Sequence, residues 1–181
     1  MPRYLTLQNA YCVHTAALLC LILLFVQPFS AHAGKFQNVG IGDIAPDFSL
    51  LTLNGESTQL QAERGKVILL SFWATWCGPC RLELPHFEDL QKEFGSDDFT
   101  VIAVSADTRK HDIEKFSSEL KLSLPLLYDP GLRVNKLYRI QAMPMAFILD
   151  HKGKIRHIHK GFKEEFLPLY AEEIKMLITE K

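Results

Sequence analysis

The chain has 181 residues, 48% of them hydrophobic, with 20 Lys and Arg against 21 Asp and Glu and a formal charge of −1. That length supports one ordinary domain with a real core. The even charge, free of any Lys/Arg run, excludes a polyanion such as nucleic acid as the natural partner.

Residues 16–26 (AALLCLILLFV) form an unbroken apolar run, followed by Pro28 and the small-x-small site Ala31-His32-Ala33. Such a run before a small-residue site reads as a secretory signal peptide, and it falls short of the roughly 20 residues a membrane span needs. Cleavage after Ala33 is expected, leaving residues 34–181 as one domain. The rival is an uncleaved N-terminal anchor, since Arg3 is the sole Lys or Arg ahead of the run. Either way the domain is exported, to the periplasm, and touches membrane only through its leader. Cys12 and Cys20 lie in the leader, so Cys77 and Cys80 are the only cysteine pair of the exported domain. An oxidising compartment favours their oxidation. A bridge closing so short a loop restrains the unfolded chain little, so the pair reads as reactive rather than structural.

Residues 34–42 read as a lead-in. Residues 48–53 (FSLLTL), then Asn54-Gly55, then a return strand over 57–60 carry a strong hairpin signal. Residues 66–72 (KVILLSF) are a continuous, partly β-branched apolar run, as in a strand buried on both faces. A helix is predicted over 79–94, with Leu82, Leu84, Phe87, Leu90 and Phe94 as its apolar face and a kink at Pro85. Residues 99–105 (FTVIAVS) predict a second buried strand, and 111–120 a charged helix with Ile113, Phe116 and Leu120 facing inward. Residues 122–128 are expected to be irregular and 131–138 to form a short helix. Two strands, 145–149 and 154–159, flank a turn at 150–153, and 164–179 form the closing amphipathic helix. The sum is an α/β domain with a mixed central sheet flanked by helices and an added N-terminal hairpin.

Trp76-Cys77-Gly78-Pro79-Cys80 stands directly after a buried strand, where a helix begins. Two cysteines so spaced lie within disulfide reach, and the first meets the unpaired N–H groups and positive dipole end of the helix, which favour a thiolate. Lowering a thiol pKa from about 8.5 to about 7 raises the thiolate share at pH 7 from roughly 3% to one half. Pro79 suits the first turn because it lacks the N–H that is unpaired there. A zinc site and an inert bridge stand beside the redox reading. Structural zinc commonly takes four protein ligands, the domain has no third cysteine, and His157 and His159 are an i,i+2 pair unlike a zinc finger's. The pattern demands no cofactor and no metal.

Several segments together resemble the thioredoxin superfamily: Phe72 to Arg81 (FWATWCGPCR), Gly42-Asp-x-Ala-Pro-Asp-Phe48, Arg81-Leu-Glu-Leu-Pro85 and Met143-Pro144. The pattern, spread over about residues 40–175, is similar to the exported TlpA/ResA-type branch, which includes the cytochrome c maturation thioredoxins. The resemblance implies a thioredoxin-like fold in which Cys77 attacks a substrate disulfide and Cys80 resolves the mixed disulfide. It implies that Pro144 is a cis-proline facing the cysteines and that the Met143 backbone pairs with an extended substrate; the alternative is a trans-proline opening an edge strand. Glu83 matches an acidic residue near the cysteines that tunes the thiols or accepts a proton; the alternative is a solvated helix glutamate. Trp76, with Gly78 and Pro79, is expected to offer contact surface beside Cys77, Trp73 to be core, and His86 to be a surface histidine.

Two departures stand out. Ser71 occupies the place where thioredoxins commonly carry a buried Asp, leaving Glu83 or water to carry the proton. Met143 replaces a frequent Thr. The partners implied are protein disulfides, on apocytochrome c or a metal-assembly protein, and a membrane thiol carrier that recharges the pair. Two rival functions remain. A thiol peroxidase is one, because Ala45-Pro46-Asp47-Phe48 is also shared with peroxiredoxins. A copper chaperone using Cys77, Cys80 and Met143 or Met145 is the other, since soft sulfur ligands suit Cu(I).

Overall fold

A computed structural model describes residues 39–95 and 97–180; the leader, its cleavage site and the domain boundary placed there lie outside the described residues. The strands are β1 (Ser49–Thr52), β2 (Ser57–Gln59), β3 (Val67–Trp73), β4 (Phe99–Ser105), β5 (Leu126–Tyr128), β6 (Met145–Leu149) and β7 (Ile155–Lys160). The helices are α1 (Gly78–Phe94), α2 (Lys110–Leu120), α3 (Arg133–Leu137) and α4 (Leu167–Thr179), with 3-10 turns at Leu60–Glu63 and Glu164–Phe166. The strands form one seven-stranded sheet in the order β2-β1-β5-β4-β3-β6-β7. The β3–β4 and β4–β5 pairings are parallel and the others antiparallel, so the sheet is mixed, as expected.

All seven residues of β3 are buried, which is why its sequence is apolar without alternation. Val67, Leu69 and Trp73 face one core, filled by Leu84 and Phe87 of α1, Phe116 of α2 and Tyr170 and Ile174 of α4. Ile68, Leu70 and Phe72 face the other, with Phe48, Leu60, Val134, Tyr138 and Phe147. The hairpin turns at Asn54-Gly55, where Gly55 has φ 86°, a region in which a side chain is strained.

Three expectations are corrected. Leu82 is 62% exposed and Leu120 is on the surface, while Glu83 takes an inward position of α1 beside Cys80, Leu84, Phe87 and Leu90. Spacings of two to four residues admit both Leu82 and Leu84, whereas a helix repeat of 3.6 cannot bury both alongside Phe87. The segment expected to be irregular contains β5, a strand of three residues, too short to show a period. It exists because neighbours pair with it on both sides: Ala103 of β4 with Leu126, and Thr52 of β1 with Leu127. Glu88 of α1 anchors the approach to it, accepting hydrogen bonds from the backbone N–H groups of Ser123 (2.8 Å) and Leu124 (3.2 Å). α1 continues across Pro85. Among the described residues no helix is long and apolar enough to cross a membrane.

Candidate active site

The end of β3 delivers residues 74–77 to the start of α1. Cys77 is the N-cap, with φ −85° and ψ 106°, and its Sγ accepts a hydrogen bond from the Cys80 N–H at 3.3 Å. Pro79 sits in the first turn, as its missing N–H allows. A disulfide joins Cys77 to Cys80 across a Cα separation of 5.3 Å. Cys77 is 6% exposed and Cys80 not at all, so only Cys77 offers an edge to solvent. Once the bond is reduced, the Cys80 N–H and the helix dipole favour negative charge on Cys77 sulfur. A side chain at Gly78 would meet nothing within 4 Å, so the space over that turn is open to an approaching backbone.

Met143 and Pro144 reach the same place by strand register. β6 runs antiparallel to β3 with Met145 opposite Phe72, which sets the two preceding residues alongside the end of β3. The Met143–Pro144 bond is cis, and Pro144 is buried, its carbonyl accepting from Gly161 N–H at 2.8 Å. The trans, edge-strand alternative is thus overturned. Half-buried Met143 packs against the core that contains both cysteines. Trp76 is 70% exposed beside Cys77, while Trp73 is buried with its ring 5.1 Å from that of Phe116. His86 is half-buried at the surface, off the inward face of α1, and its ring stacks on that of Phe162 at 5.9 Å. A cleft of about 660 Å³ opens next to Trp76, with Arg81, Arg109, Lys115, Phe116 and Glu119 in its walls.

Glu83 is fully buried one turn along α1 from Cys80, which removes the solvated-glutamate alternative. Tyr170 of α4 donates its hydroxyl to Glu83 Oε1 at 3.1 Å, and Oε2 has no hydrogen-bonding partner among the described residues. Burial pushes the Glu83 carboxyl up to about 8, against the opposing pull of the Tyr170 hydrogen bond. Ser71 is buried on the β3 face that carries Trp73, and among the described residues its hydroxyl also has no partner. His157 and His159 are engaged by Glu173 of α4, at 3.0 and 2.7 Å, and the cysteines by each other.

Asp107 holds the cysteine loop in place and was not legible in the sequence. Its Oδ2 accepts from the Thr75 N–H (2.9 Å) and the Ser105 hydroxyl (2.7 Å), and its Oδ1 accepts from the Thr75 hydroxyl (2.7 Å). Thr75 and Asp107 are 32 residues apart; the only local trace is a serine two residues before an aspartate, a common backbone-capping pattern. Asp107→Ala leaves buried donors without an acceptor and is expected to cost about 3 kcal/mol. The check is a lower urea midpoint at unchanged slope.

The sequence matches the AhpC/TSA family over residues 41–158. It is 45% identical over 136 residues to the thioredoxin-like protein YneN of Bacillus subtilis, covering 74% of this chain and 79% of that one. Over 159 residues it is 32% identical to the thiol–disulfide oxidoreductase ResA of Geobacillus thermodenitrificans, covering 86% and 91% of the two chains. A solved structure from Chlorobium tepidum, described as a thiol:disulfide interchange protein DsbE, superposes with a TM-score of 0.74 at 32% identity, covering 78% of this chain and 99% of that one.

Proposed function

The chain belongs to the AhpC/TSA family and is a thiol–disulfide oxidoreductase of thioredoxin-like fold; from that premise we propose that it is an exported reductant of protein disulfides, with Cys77 as the attacking thiol. The observation that carries this reading is the asymmetry of the pair: Cys77 caps α1 at the surface and Cys80 lies wholly inside. The Cys77 thiolate attacks one sulfur of a substrate disulfide, forming a mixed disulfide and expelling the other substrate sulfur as a thiolate. In the molecules whose Glu83 is ionised, a minor share below pH 8, Cys80 then passes its proton to that carboxylate, attacks Cys77 Sγ and expels the second substrate sulfur as a thiolate. The two substrate thiolates leave and take protons from solvent, and the protein keeps the Cys77–Cys80 bond. An external dithiol, carried by a membrane protein, must return the two electrons. Trp76, Gly78 and Pro79 offer the contact surface at Cys77, and the Met143 backbone pairs with an extended substrate segment at Pro144.

The leader predicted over residues 1–33 supports a site of action outside the cytoplasm, in the periplasm. A disulfide on apocytochrome c or on a metal-assembly protein is the substrate class in keeping with the resemblance to the cytochrome c maturation thioredoxins. The direction of electron flow is a difference of reduction potentials, in which 30 mV is about 1.4 kcal/mol for two electrons. Equilibrating the Cys77–Cys80 couple against glutathione or dithiothreitol buffers tests it. A reductant is expected to lie below about −220 mV, and a value near −120 mV makes the protein an oxidant instead. Peroxide consumption without a protein substrate would favour the peroxidase reading, and stoichiometric Cu(I) binding without disulfide exchange the copper reading.

A further inference from the structure

Behind Glu83 lies a second set of ionisable groups that disulfide exchange itself does not use. The Tyr170 ring, whose hydroxyl holds Glu83, is wedged between Phe87 (5.2 Å between centroids) and His159 (4.2 Å). His159 Nε2 is 2.7 Å from one oxygen of Glu173, and His157 Nδ1 is 3.0 Å from the other. His159 and Glu173 are buried, while the His157 side chain is 29% exposed and in reach of bulk protons. A buried carboxylate is tolerated when both its oxygens are hydrogen-bonded, and here two imidazoles do so. The arrangement is a continuous file from solvent to the site: His157, Glu173, His159, Tyr170, Glu83.

We propose that His157, Glu173 and His159 form a charge cluster that sets, through Tyr170, how tightly Glu83 holds its proton; Tyr170 is the positioning residue that transmits it. The inference rests on Glu83 being the buried acid that serves the cysteines. With both imidazoles neutral the cluster carries one negative charge beside Tyr170, which makes its hydroxyl a poorer donor to Glu83 and favours the protonated carboxyl. Protonating an imidazole cancels that charge and favours the carboxylate. The other groups around the cluster are accounted for. From β7, Arg156 is turned to Glu180 (2.6 Å) and Asp150 (3.6 Å), and Glu180, held below the usual carboxylate range chiefly by Arg156, also feels His157. From β6, the residues paired with His159 and His157 are Ala146 and Ile148. In the segment before α4, Lys163 lies over the Phe166 ring, and that ring is 6.2 Å from His159.

The test uses the oxidised protein, whose bridged cysteines do not titrate, so that Glu83 is seen alone. Carbon-13 NMR of the glutamate carboxyls follows its midpoint, the Glu83 signal being the one lost in Glu83→Gln. Tyr170→Phe, which keeps the ring packed, is expected to raise the midpoint by about one unit, the worth of one hydrogen bond to a charged group. Glu173→Gln is expected to lower it by about half a unit as a neighbouring anion is removed. Coupling is reciprocal, so the wild-type His157 and His159 ring signals are expected to show a second inflection at the Glu83 midpoint, absent in Glu83→Gln; this holds the inference to account even if Glu173→Gln does not fold. A Glu83 midpoint near 8 that neither substitution moves, with histidine signals blind to it, overturns the cluster's role and leaves Glu83 as the buried acid. A Glu83 midpoint in the ordinary carboxylate range overturns both.

Discussion

Cys77→Ser is expected to abolish disulfide exchange while the domain still folds. A serine hydroxyl stays protonated where a cysteine at a helix N-terminus ionises, so the attacking species disappears rather than weakens. The structural cost is modest: losing a bridge between residues three apart removes about 2 kcal/mol of loop-closure stabilisation, against a core that fills both faces of β3. Cys80→Ser is expected to behave differently. Cys77 still attacks, but nothing resolves the mixed disulfide, and substrates remain bound through sulfur. Exchange activity of Cys77→Ser, with non-reducing gels of Cys80→Ser, separates the two roles. Should Cys80→Ser capture nothing and still turn over, the division of labour between the sulfurs is wrong.

The second large effect is on stability. Glu83 has its folded-state pKa raised from 4.5 to about 8 by burial. Below pH 4.5 it is protonated in both the folded and the unfolded chain and gives no pH dependence. Between pH 4.5 and 8 the unfolded chain has released this proton and the folded one keeps it, so stability falls as pH rises, by about 1.4 kcal/mol per unit. Above pH 8 the loss is complete and amounts to as much as about 5 kcal/mol relative to pH 4.5. Glu83→Gln removes the titration while keeping an acceptor for Tyr170. The variant is therefore expected to match the wild type at low pH and to exceed it increasingly towards pH 9. Urea midpoints of the two oxidised proteins from pH 5 to 9 decide it, since every other titrating group is common to both. Parallel curves would mean that Glu83 ionises as freely as a solvated glutamate, and would also remove it as the acceptor for the Cys80 proton.

On the proposed mechanism, a cost of this size at a buried position is what the proton-accepting role of Glu83 requires. A leucine at Glu83 would fill the same inward place on α1 without it, and the neighbouring Leu82 stands in solvent. The carboxyl sits one turn of α1 from Cys80, both buried, in a core whose sheet includes Ser71 rather than an acid.

Much of this protein was legible in its sequence because it is encoded locally. Uninterrupted apolar runs announce β3 and β4, the Asn54-Gly55 turn announces the hairpin, and two cysteines at the start of an amphipathic segment announce the dithiol. Each depends on residues within about a dozen positions, and period or spacing suffices to read them. The tertiary structure alone decided the rest. Glu83 meets Tyr170 across 87 residues and Thr75 meets Asp107 across 32. β5 is a strand only because β1 and β4 flank it. Whether Glu83 faces water or core turned on which of two adjacent helix positions packs against α4. Partners chosen by packing leave no period along the chain, so the contacts that surround the dithiol emerge only when the helices close over the sheet.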